Sequence, residues 1–148
     1  MTDKIPLSVD SDLFKLYLFY AAMLVVKVGV MSFLTSRQKR RKKVFSNPED
    51  AQLRGGKFDL SDPDVLRVKR AHLNDLENVL PFLALCPLYL ATGPTERVAG
   101  MLIRAFAAAR VLHSFFYLNE ISLWRSVAFG VGITITTYMA TSVICFTF

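Results

Sequence analysis

Two cysteines among 148 residues are too few for a disulfide framework. Two histidines, His72 and His113, have no cysteine cluster beside them, which leaves no zinc site and no other metal centre to propose. The only adjacent glycine pair, Gly55-Gly56, reads as a turn, and no glycine-rich loop of the phosphate-cradling kind is present. Charge is missing over long stretches, most completely from residues 127–148, which hold not one charged side chain. Yet the chain as a whole is 20% charged and 53% hydrophobic, with mean hydropathy +0.36, so it is neither disordered nor uniformly greasy. Where the charges lie decides what kind of membrane protein this is.

A hydrocarbon core about 30 Å thick takes roughly 20 apolar residues to cross as a helix. Residues 127–148 meet that requirement, and so do residues 13–34, interrupted only by Lys15 and Lys27. Asp3, Asp10 and Asp12 ahead of the first stretch, and its length, argue against reading it as a cleaved leader. Residues 79–91 are too short alone, but the helix-compatible segment before them extends them to spanning length. Residues 98–118 are apolar apart from Arg104, Arg110 and His113, and Thr92-Gly93-Pro94 is a turn between these two segments. Ser61-Asp62-Pro63-Asp64 has the form of a helix start with Pro in the first turn. The pattern predicts one all-α domain over residues 1–148, an integral membrane four-helix bundle with spans at 13–35, 70–91, 97–118 and 124–147 and a polar loop at 36–69.

Eleven of the 18 basic residues fall between Arg37 and Arg70, six of them in the run 37–43. The positive-inside rule then puts the loop at 36–69 in the cytoplasm and both termini on the opposite side. Trp124 falls at an interface. Such a run serves topology or anionic headgroups. With no aromatic interleaving or recognition module beside it, nucleic acid is not a partner.

Inside the helices the polar residues are ordered. Arg67, Arg70, Asn74 and Glu77 are spaced 3, 4 and 3 apart and share one helix face, with His72 and Asp75 off that stripe. Arg110, His113 and Tyr117 make a second face. Arg125 and Ser126 sit in the expected first turn of the last helix, with Phe129 one turn deeper. The topology puts all three faces at one depth, where they can converge on one pocket. An ion pair such as Glu77 with Arg110 would only hold the bundle together. A surplus of arginines over acids at membrane depth instead requires an anionic partner, because each unpaired charge there costs a few kcal/mol. Cys86 and Cys145, set among apolar residues, read as packing.

The string Arg70-Ala71-His72-Leu73-Asn74-Asp75-Leu76-Glu77-Asn78 followed by Pro81-Phe82 resembles the hallmark of the membrane-associated eicosanoid and glutathione metabolism (MAPEG) family. Lys43-Val44-Phe45-Ser46-Asn47-Pro48-Glu49-Asp50 upstream, and Ala109-Arg110-Val111-Leu112-His113-Ser114 with Tyr117-Leu118 downstream, agree with it. The resemblance implies a homotrimer of four-helix protomers in the endoplasmic reticulum and also in the mitochondrial outer membrane. It implies glutathione bound between subunits near the cytoplasmic face and a lipophilic substrate entering from the membrane lipid. By the same resemblance the glutathione-binding set is Lys39, Arg70, Leu73, Asn74, Asp75, Glu77, Arg110, His113, Tyr117, Arg125, Ser126 and Phe129. Glu77 takes the ammonium of glutathione and the arginines its carboxylates. Arg125, Ser126 and Asp50 are the implied catalytic residues, the first two activating the thiol and the third handling a proton.

Two activities are open on this reading. One is transfer of glutathione to lipophilic electrophiles, with reduction of lipid hydroperoxides by the same thiolate. The other is glutathione-dependent isomerisation of a prostaglandin endoperoxide to the E-type product. Asp50, the Ser61-Asp62-Pro63-Asp64 element and Arg125-Ser126 agree with the isomerase branch. Leu73 and Leu76-Glu77-Asn78 agree with the transferase pattern, Lys39 replaces an arginine of the isomerase branch, and Phe129 replaces a tyrosine.

Overall fold

Four long helices carry the chain back and forth in the computed structural model, which describes residues 11–148. They are α1 (Asp12–Lys42), α3 (Pro63–Ala91), α4 (Glu96–Leu118) and α5 (Ser122–Thr147), with a short α2 (Pro48–Leu53) in the first connection. Asp3 and Asp10, which bear on the leader question, lie outside the described residues. α1 starts at Ser11, whose hydroxyl accepts from the Phe14 N–H at 3.2 Å. It does not stop where its apolar stretch stops. The segment 36–42, expected in a loop, is helical, because Lys, Arg and Gln are good helix formers and the cations Lys39 to Lys42 face the negative end of the helix dipole. The connection is therefore 43–62, since α3 begins at Pro63 with Asp62 capping the N–H groups of Asp64 and Val65.

That connection is folded. β1 (Val44–Phe45) and β2 (Lys57–Phe58) pair in parallel, Val44 with Lys57 and Phe45 with Phe58, and α2 crosses between them. Gly56 is needed where the strands meet: a Cβ there would stand 2.5 Å from the Lys43 carbonyl oxygen and 2.5 Å from the Phe45 ring. Gly56→Ala is therefore expected to open the β1–β2 pair at a cost of about 1–3 kcal/mol. Amide exchange checks it, through faster exchange at Lys57 and Asp59, whose N–H groups bond to Lys43 and Phe45. Unchanged protection at both would refute it.

The helices pack about a core in which Phe82 of α3 and Phe106 of α4 stack face to face with centroids 3.9 Å apart, surrounded by Leu24, Val79, Ile103 and Met139. Cys86 is fully buried there, as expected of packing, whereas Cys145 is exposed on α5. Pro87 lies inside α3 and has no N–H to give the Leu83 carbonyl one turn back. Tyr17 of α1 replaces that missing donor, its hydroxyl bonding Leu83 O at 2.9 Å. In lipid, where water is absent, a freed carbonyl must be satisfied by a neighbour, and here the neighbour ties α1 to α3.

The outer faces are apolar, with Val25, Val26, Phe33, Ile133 and Ile144 exposed. Helices α1, α4 and α5 are each long and apolar enough to cross a membrane. α3 has the length, but Arg67, Lys69, Arg70, Asp75 and Glu77 crowd its first half.

Candidate functional site

The single lysine in the middle of α1, Lys27, meets the acid that falls off the α3 stripe. Its ammonium pairs with Asp75, and it lies 2.5 Å from the Ser114 hydroxyl of α4. Asp75 is fully buried and takes three donors: Lys27, Arg110 Nη2 at 2.8 Å, and the Ser114 hydroxyl at 3.0 Å. Arg110, equally buried, also donates from Nη2 to Asn74 Oδ1 at 2.8 Å, and the same nitrogen lies 3.3 Å from His113 Nδ1. Nη2 carries two protons, which Asp75 and Asn74 take, so the His113 ring packs beside the guanidinium without a hydrogen bond of its own from that nitrogen. Arg110 thus pairs with Asp75 and not with Glu77, which is exposed. The helical periodicity ruled the wrong acid onto the facing side, because Asp75 points to α1 and α4 while Glu77 points out of the protomer.

Two cations share one carboxylate in this network, so it keeps a net positive charge within the bundle. Nε and Nη1 of Arg110 have no hydrogen-bond partner among the described residues. Lys27 and Ser114 are the residues that sequence reasoning missed. A lone lysine inside an apolar span was the available signal, since such a group demands a named counter-charge.

Beside this network opens a cleft of about 280 Å³ lined by Asn74, His113, Tyr117, Arg125, Ser126 and Phe129. Three helices supply it: α3 gives the amide, α4 the imidazole and phenol, and α5 the guanidinium, the hydroxyl and the phenyl ring. The Arg125 guanidinium lies over the Tyr117 ring, 4.7 Å from its centroid, and Nη2 reaches Ser122 Oγ at 3.4 Å. No carboxylate pairs with Arg125 among the described residues. His113 packs against Tyr117 and Phe129, with centroids 5.6 Å and 6.3 Å away. The lining holds several hydrogen-bond donors and no acid, which is the composition of an anion site.

The α5 start differs from expectation in one respect. The helix begins at Ser122, so Arg125 closes its first turn and already donates its N–H to Ile121 O at 3.2 Å, while Ser126 begins the second. The free N–H groups of the helix end belong to residues before Arg125, and its contribution is the side-chain charge more than the helix dipole. The Ser126 hydroxyl donates to Ser122 O at 3.1 Å and can rotate away to a stronger acceptor.

The other expected residues are placed elsewhere in the protomer. Asp75 and Arg110 stand behind the cleft as its support. Arg70, Leu73 and Glu77 are exposed on α3 and do not line it. Lys39 and Asp50 line a separate, smaller cleft of about 140 Å³ with Arg40 and Arg54, where Asp50 accepts from the Asn47 side chain at 3.1 Å.

The MAPEG family pattern matches residues 17–145. Microsomal glutathione S-transferase 1 of Mus musculus is 40% identical over 137 residues, covering 88% of each chain, and that of Homo sapiens is 38% identical over the same extent. Prostaglandin E synthase of Homo sapiens is 42% identical over 106 residues, covering 71% of this chain and 70% of its own.

Proposed function

Since the chain belongs to the MAPEG family, we propose that it is a membrane enzyme that ionises the glutathione thiol for transfer to lipophilic electrophiles and for reduction of lipid hydroperoxides. The observation that carries this reading is the gathering of Asn74, His113, Tyr117, Arg125, Ser126 and Phe129 in one acid-free cleft backed by a positively charged network.

Glutathione suits such a site as a co-substrate, because it brings two carboxylates, one ammonium and a thiol whose ordinary pKa is about 8.5. Arg125 lowers that value by placing an unpaired cation, set over the Tyr117 ring, where negative charge develops on sulfur. Ser126 donates its hydroxyl to the same atom once it leaves Ser122 O. Arg110 holds the Asn74 amide by a hydrogen bond, and the His113 ring packs beside it. Conjugation then forms a carbon–sulfur bond as the leaving group departs with its electron pair. In peroxide reduction the sulfur attacks the outer oxygen, the O–O bond breaks to give the alcohol after protonation, and a second glutathione completes the disulfide and water.

A cleft of about 280 Å³ is at the small end for a ligand of tripeptide size, for which roughly 300–1,000 Å³ is usual. We place its missing wall on a neighbouring copy in a homotrimer. That arrangement gives a role to Arg70, Glu77, Lys39 and Asp50, which a single protomer leaves outside the cleft. The basic end of the bundle faces the cytoplasm on this reading, and the membrane is that of the endoplasmic reticulum.

Purified protein is expected to conjugate glutathione to a chloronitrobenzene and to reduce a lipid hydroperoxide. Absence of both activities would end the transferase reading. The likeness to prostaglandin E synthase supports a second reaction at the same site, isomerisation of a prostaglandin endoperoxide. Its mark is E-type product formed without net thiol consumption, and Asp50→Ala would then reduce isomerisation more than conjugation.

A further inference from the structure

At the basic end of the bundle a second large cleft, about 270 Å³, lies between the end of α1, the start of α3 and the turn after α4. It shares no residue with the Asn74 to Phe129 cleft. Arg37, Gln38 and Arg41 line it from α1, Asp64 and Arg67 from α3, and Glu120 from the turn. Both acids are already engaged. Glu120 accepts from Arg67 Nη2 at 3.1 Å, and Asp64 pairs with Lys42, whose cation holds that carboxyl below its usual pKa. Arg37 and Arg41, one helical turn apart, have no carboxylate within ion-pair distance among the described residues. Nε of Arg67 is buried with no hydrogen-bond partner there. The cleft therefore keeps two unpaired guanidinium groups and an orphaned donor after its own acids are counted.

Its depth narrows the ligand. The apolar stretch of α1 ends at Leu34, which also lines the cleft, and the first turns beyond an apolar span, where Arg37 and Arg41 stand, are the level of lipid headgroups. A phosphate offers acceptor oxygens in the planar pairs that arginine forks bind. We propose that this cleft is a binding site for a phosphate group, with an anionic phospholipid as the source that its depth favours. The site is independent of the glutathione reading, and it differs from the diffuse attraction of any basic segment to an anionic surface in depending on particular arginines.

The test is lipid retention by native mass spectrometry on protein released from phosphatidylcholine nanodiscs with and without phosphatidic acid. Wild-type protein is expected to retain phosphatidic acid. Arg37→Gln/Arg41→Gln should weaken retention roughly 100-fold, at about a factor of ten for each charge-assisted hydrogen bond to phosphate that is lost. Lys57→Gln/Lys69→Gln removes two exposed cations outside the cleft and should leave retention unchanged. Matching thermal melts for all three proteins show that the comparison is between folded states. Inorganic phosphate that binds in pure phosphatidylcholine and is lost in the arginine pair would keep the site and assign it to a soluble phosphate. Equal weakening in both pairs would overturn the proposal in favour of diffuse charge, as would retention of neither ligand. Glutathione displacing the lipid through the same arginines would also overturn it, by joining this cleft to the glutathione site.

Discussion

Arg125→Ala is expected to lower glutathione-dependent turnover by about 100- to 1,000-fold, the usual cost of removing one preorganised group aimed at developing negative charge. The loss should fall on thiol ionisation. Arg125 has no carboxylate partner among the described residues and lies over the Tyr117 ring, so its charge is unspent and it faces the cleft. The ultraviolet thiolate band that appears when glutathione is added to wild-type protein should vanish in the variant near neutral pH. Its residual rate should climb with pH toward about 8.5, where a free thiol ionises unaided. Arg125→Lys keeps the charge but loses the guanidinium over the Tyr117 ring and should fall between the two. A thiolate band undiminished in Arg125→Ala would remove this residue from the chemistry and pass the role to the positive network behind the cleft.

Asp75→Asn is expected to be the most destabilising change of a single functional group in the protein. The substitution is nearly isosteric, yet it leaves Lys27 and Arg110 facing each other with no carboxylate between them. Removing one partner of a buried ion pair typically costs about 3–5 kcal/mol, because the charge left behind is uncompensated. Thermal unfolding in a nanodisc should show a large fall in midpoint. Lys27→Met alone removes the surplus cation and should cost much less. Adding it to Asp75→Asn should recover part of the loss, and the double-mutant cycle measures the coupling. A neutral Asp75→Asn would mean that Arg110 and Lys27 find other partners and that the network is not what joins α1, α3 and α4.

Some of the architecture was legible because it depends on local composition. Residues 127–148 have no charged side chain, and an uncharged run of that length has few alternatives to a spanning helix. Ser61-Asp62-Pro63-Asp64 announces the start of α3, since a capping acid and a proline act on their own turn. The end of α1 is hidden for a complementary reason. Charge density marks where lipid stops but not where the helix stops, since lysine and arginine continue α1 to Lys42.

The candidate site divides along the same line. Which residues carry the chemistry was readable from their types and from helical spacing: Asn74 on one face, His113 and Tyr117 on another, Arg125 and Ser126 at the start of the last helix. The partner of each charge was not, because periodicity orders residues along one helix and does not tell which neighbour a face meets. Spacing put Glu77 on the polar stripe and Asp75 off it, and packing gave Arg110 to Asp75 while leaving Glu77 exposed.

From sequence alone came the four long helices, the basic end and the set of donors fit for an anion, all properties of single segments in lipid or water. Tertiary structure decided that Lys27 and Arg110 share Asp75, that Arg125 lies unpaired on Tyr117, and that Asp50 occupies a different cleft. Those outcomes depend on distances of a few ångströms between segments far apart in the chain, and Coulomb and hydrogen-bond energies vary steeply over that range while sequence periodicity carries no information about it.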